Sequence, residues 1–126
     1  RLTPYHLILE PDSERVRDAW ERTLPEIDSI LGWCRSRSLP LLVVVFPFAI
    51  QLMHPETSAP QGILAYFARE RDLPCLDLLP GLVAAEQRGA LAPTDLFFDA
   101  LHPTPLGNQI SAAEIARFVG EHSLLR

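Results

Sequence analysis

A chain of 126 residues, 48% hydrophobic and 21% charged, is long enough to bury a real core and too balanced to be a disordered or collagen-like polymer. Its net charge of −5, with no basic stripe, excludes a nucleic-acid footprint. The longest apolar run, Leu39 to Ile50, is interrupted by two prolines and is too short for a membrane span, so a single domain over 1–126 is expected.

The chain opens at Arg1 rather than Met, with no signal peptide at this end. Asp12 or Ser13 is a suitable N-cap, with Glu14 in the first turn. Val16, Trp20, Thr23, Ile27, Ile30, Leu31 and Cys34 then recur at helical spacing. Pro25 falls inside this pattern, and Thr23 and Glu26 are spaced as a capping box. Two helices, or one kinked helix, are expected here.

Leu41 to Phe46 is a β-branched, apolar run without alternation, the pattern of a strand buried on both faces of a parallel sheet; Pro47 ends it. Residues 48–60 read as a loop with a helical turn near Ile50 to Met53, and Gly62 to Arg71 as a helix. Leu73 to Pro80 reads as a second, shorter strand. Leu82 to Arg88 is a short helix closed by Gly89, and 90–105 a loop. Leu106 to His122 is the last helix, with Thr104 as N-cap and Pro105 in the first helical position. Cys34 and Cys75 are expected as buried thiols, and no Cys/His cluster suggests a metal.

This alternation predicts an α/β layered fold with parallel strands. A strand as apolar as 41–46 wants a neighbour on each side. Tyr5-His6-Leu7-Ile8-Leu9 is one candidate third strand; strands belonging N-terminal to Arg1 are the expectation we favour.

The chemistry lies in Asp95-Leu96-Phe97-Phe98-Asp99-Ala100-Leu101-His102-Pro103-Thr104-Pro105-Leu106-Gly107. An Asp three residues before a His, in a loop ahead of a helix, can fold its carboxylate onto one imidazole nitrogen. The other nitrogen is then left to take a proton from a nucleophile. Pro103 and Pro105 stiffen the loop. An Asp-x-x-His pair alone carries little weight, because short motifs recur by chance. His54, Phe48 and Gln51 follow the strand 41–46, at the end where open α/β sheets bind ligands. Phe48 and Gln51 are candidates to line an acyl or sugar pocket; Asp77 is expected as a strand-end residue bonded to backbone.

The block Asp99-Ala-Leu-His102-Pro-Thr-Pro-Leu-Gly107, followed by a helix with Ala112, Ala113 and Ala116, closely resembles the last block of the SGNH/GDSL serine hydrolases. Val43 to Pro47 and Leu73 to Pro80 resemble that family's last strands, so the likeness covers roughly residues 39–120. It implies the C-terminal half of a three-layer, flavodoxin-like sandwich. It also implies a serine esterase or acyltransferase in which His102 is the general base and acid, Asp99 orients it, and no cofactor or metal takes part. The implied substrate is a small-molecule or glycan ester.

The family's Gly-Asp-Ser nucleophile motif is absent. Ser13, Ser29, Ser36, Ser38, Ser58, Ser111 and Ser123 lie in neither Gly-Asp-Ser nor Gly-x-Ser-x-Gly. The nucleophile is therefore expected from a missing N-terminal half or from a second chain, the missing half or a homo-oligomer is the expected macromolecular partner, and the chain alone is expected to be inactive. The alternative is a non-catalytic binding or assembly module that has an SGNH-like fold and lacks the nucleophile.

Overall fold

The computed structural model describes residues 1–125. The first element is a helix, α1 (Pro4–Leu9), where Tyr5 to Leu9 had been a candidate strand. The reason is local. Pro4 at the first helical position has its backbone preset, and the Thr3 N–H donates to His6 Nδ1 at 2.8 Å, which satisfies an otherwise orphan donor.

Helix α2 (Glu14–Arg35) runs unbroken through Pro25. Proline in a helix interior costs roughly 3 kcal/mol. Here Glu21, whose carbonyl loses its partner, and Pro25 itself are both exposed, so water can serve the orphan carbonyl. Thr23 does not cap a second helix; its hydroxyl donates back to the Ala19 carbonyl at 2.8 Å. Burial of Val16, Leu31 and Cys34 on one side outweighs the defect.

The two strands are shorter than their apolar runs: β1 (Val43–Val45) and β2 (Cys75–Asp77). They pair in parallel, Val43 with Cys75, Val44 with Leu76 and Val45 with Asp77. Bonds from Val43 N–H to the Pro74 carbonyl (2.9 Å) and from Leu78 N–H to the Val45 carbonyl (3.1 Å) extend the ladder at its ends. It stops there because Pro74 has no N–H to give and the chain turns into α5 (Leu79–Gly89) straight after Asp77. Among the described residues the sheet has these two strands only, set in a mostly helical α/β chain.

Strand alternation divides the core in two. Val43 and Cys75 pack on Leu31, Phe67, Ala68 and Leu73, contributed by α2 and by α4 (Ala59–Arg69) with the turn that follows it. Val44 and Leu76 pack on Leu52, Leu78, Leu79, Leu82, Leu96 and Phe97. That second cluster draws on α3 (Ala49–Met53), α5 and a short helix α6 (Pro93–Leu96), with Ile110 and Ile115 of α7 (Pro105–Glu121) against it. Helices thus cover both faces of the strand pair.

Helix α6 falls where a loop was expected. Pro93 opens it, and the Asp95 carboxylate accepts from the Ala92 N–H at 2.7 Å. The left-handed residue that closes α5 is Ala90, not Gly89. Both cysteines are free, Cys34 buried and Cys75 half-buried. Among the described residues no helix is long and apolar enough to cross a membrane.

Candidate active site

The segment between α6 and α7 folds into a tight loop anchored at its root. The Phe98 N–H donates to the His102 carbonyl at 2.8 Å, and the Thr104 N–H donates to the Leu96 carbonyl at 2.8 Å. Thr104 caps α7 as its sequence position predicts: its hydroxyl accepts from the Gly107 N–H at 3.1 Å and donates to the Asp95 carbonyl at 2.7 Å. The loop tip is tied to the first residue of α3, the helix that follows the carboxyl end of β1, because the Ala49 N–H donates to the Ala100 carbonyl at 3.0 Å. Ligands of open α/β sheets bind on that side.

At the tip the Asp99 carboxylate gathers three donors. One oxygen accepts from the Leu101 N–H (2.8 Å) and the His102 N–H (2.9 Å), an Asx turn. His102 Nδ1 lies 3.0 Å from that oxygen and 2.8 Å from the other. The sequence pair is therefore brought together, by a turn local to four residues. The Leu101 N–H, then the His102 ring, then the His102 N–H hold the Asp99 carboxyl at about 2, below its ordinary 3.8. An ionised carboxylate only accepts, so Nδ1 must carry the ring proton. In the neutral ring the lone pair then lies on Nε2. Nε2 makes no hydrogen bond among the described residues, and the side chains are 74% (His102) and 57% (Asp99) exposed.

A pH dependence follows from the lowered carboxyl. Its contribution to order is fully present above 3.8 and is lost as pH falls through about 2. We expect the Asp99 carboxyl carbon, followed by NMR, to titrate near 2 and the Leu101 and His102 amide signals to stay in place at pH 3. A midpoint at the ordinary 3.8 would show that the turn does not hold the charge.

The other sequence candidates lie elsewhere. Gln51 is buried, and its amide is consumed by the Phe48 N–H, the Thr57 carbonyl and Gln61. Phe48 is half-buried at the start of α3. A groove of about 340 Å³ does adjoin Asp99, walled by Tyr5, Ile50, Met53, Pro93 and Phe98, and neither Phe48 nor Gln51 lines it. Tyr5, Ile50 and Met53 come from far upstream of Asp99 in the sequence, and no local spacing announced them. His54 pairs with Glu56 at 3.0 Å in an exposed turn. Asp77 accepts from the Leu79 N–H at 2.9 Å, and burial raises its carboxyl. Among the described residues no three His, Cys, Asp or Glu side chains gather to hold a metal ion.

Matched against models of protein families, curated proteins and solved structures, the chain gives no match.

Proposed function

We propose that this chain supplies the Asp–His pair of an SGNH/GDSL-type serine acyl hydrolase or acyltransferase, acting on a small-molecule or glycan ester. The observation that carries the reading is the Asp99–His102 contact of 2.8 Å at Nδ1 with Nε2 left as a base. Helices on both faces of a parallel strand pair, and the loop's hydrogen bond to α3 just beyond β1, support the C-terminal half of a three-layer sandwich.

In this reading a serine hydroxyl, from outside these residues or from another chain, gives its proton to His102 Nε2 as its oxygen attacks the ester carbonyl. The imidazolium, paired with Asp99, returns that proton to the departing alkoxide. A water, or an acceptor alcohol, then repeats the sequence and releases the acyl group.

None of the seven serines bonds to His102 among the described residues; Ser29 and Ser36 donate to the Pro25 and Trp33 carbonyls, and Ser111 is buried. The 126 residues alone are therefore expected to turn over no activated ester, such as p-nitrophenyl acetate, above the rate of free imidazole. Turnover by the pure chain above that rate would overturn the shared-site reading. An in-frame Gly-Asp-Ser in the gene upstream of Arg1 is the expected source of the nucleophile. Without one there or in a partner chain, the binding or assembly module with an SGNH-like fold becomes the better account.

A further inference from the structure

Gln51 and Gln61 form a buried amide pair, 1% and 5% exposed. The Gln51 amide nitrogen donates to Gln61 Oε1 at 3.1 Å and to the Thr57 carbonyl at 2.7 Å. Gln61 donates back to Gln51 Oε1 at 3.0 Å, and the Phe48 N–H donates to the same oxygen at 2.9 Å. Both donors and both lone pairs of the Gln51 amide are thus engaged, the full complement for this group.

The clamp fixes the backbone at Phe48, and the next residue makes the link to the loop tip: the Ala49 N–H donates to the Ala100 carbonyl at 3.0 Å. One turn on, Leu52 packs with Leu96 and Phe97 at the loop root. An apolar pair could fill the same space, but it would leave the Phe48 N–H and the Thr57 carbonyl without these partners.

We propose that Gln51 and Gln61 are positioning residues for the Asp99–His102 pair: their amide clamp fixes Phe48 and Ala49, and the Ala49–Ala100 hydrogen bond transmits that order to the loop in which carboxylate and imidazole meet. The assignment rests on the catalytic reading of that pair and gives Gln51 a structural route to the chemistry in place of contact with substrate.

Hydrogen exchange on the unmodified chain is the first test. The Phe48, Ala49, Leu101 and His102 amides are expected to open as one unit with a common denaturant dependence; separate openings overturn the proposal. Substitution is the second. Gln61→Met removes the reciprocal bonds and leaves Phe48 on Gln51, whereas Gln51→Met removes them all. Both are expected to speed Ala49 exchange, about tenfold for the loss of one bond's net contribution, and to move the Asp99 midpoint from about 2 toward 3.8, Gln51→Met further than Gln61→Met. Leu73→Ala, in the opposite core cluster, is the control that lowers stability without moving that midpoint.

An unmoved midpoint and unchanged Ala49 exchange in either folded variant overturn the clamp, and if Gln51→Met does not fold, Gln61→Met decides. Every readout is taken without substrate. Absent esterase activity in a protein that carries both the pair and its nucleophile would therefore count against the catalytic reading alone, and absent coupling in this chain against the clamp alone.

Discussion

Replacing His102 with alanine in a protein that carries both the pair and its nucleophile is expected to lower kcat by roughly 10⁴- to 10⁶-fold, with KM little changed. Alanine removes Nε2, the only atom of the pair placed to accept the hydroxyl proton, and gives the Asp99 carboxylate no ring to orient. Asp99→Asn separates structure from chemistry. The asparagine oxygen can still accept from the Leu101 and His102 N–H groups, so the Asx turn survives. Its amide nitrogen would donate toward Nδ1, however, favouring the tautomer with the proton on Nε2. A fall of about 10⁴ in kcat with the loop amide signals unmoved is the expected pattern. Steady-state kinetics on an activated ester measures both, and normal turnover by His102→Ala would end the assignment.

The largest effect on stability is expected from Gly107→Ala. In open helix, alanine is favoured over glycine by about 1 kcal/mol. At Gly107 an added Cβ would lie 2.2 Å from the Leu96 carbonyl oxygen and 3.2 Å from Pro103 Cβ. That carbonyl cannot step aside cheaply, because it accepts from the Thr104 N–H at 2.8 Å and roots the loop. Overpacking against fixed backbone costs about 3 kcal/mol or more, so the clash wins over propensity. The expected result is a fall in Tm of about 10 °C, with altered Asp99 and His102 signals. Gly32→Ala, with nothing within 4 Å of its Cβ, should raise stability by a few tenths to about 1 kcal/mol. Thermal unfolding followed by circular dichroism decides; an unchanged Tm for Gly107→Ala would mean that the α6–α7 junction is looser than its hydrogen bonds indicate.

The sequence made the candidate pair legible because Asp99 and His102 meet through a turn of four residues, with no long-range contact needed. Thr104 and Pro105 marked the start of α7 for the same reason, as cap and first-turn residues. Val43 to Val45 and Cys75 to Asp77 were visible as apolar runs, and the prolines around them trimmed the ladder below the length of those runs. Tyr5 to Leu9 offers a strand only as one candidate, because so short a run does not separate strand from helix by period, and the contact that favours the helix is the Thr3 N–H donating to His6. Helix α6 did leave a signal, Pro93 followed by Asp95, which the loop-like composition around it masked. Gln51 was picked out for its place after β1 and given the wrong kind of neighbour, since the partner that engages it lies ten residues on with no repeat or motif joining the two.

The imidazole and carboxylate at the loop tip stand largely in solvent. In bulk water the pull between an imidazolium and a carboxylate is roughly a quarter of what it is at the effective dielectric near a protein surface. In the proposed function, whatever brings a hydroxyl to Nε2 would therefore also have to bring walls that exclude water, since a preorganised dipole earns its catalytic effect only in a dry cleft. The pair by itself would behave as a latch held open, idle until assembly dries the mouth around it.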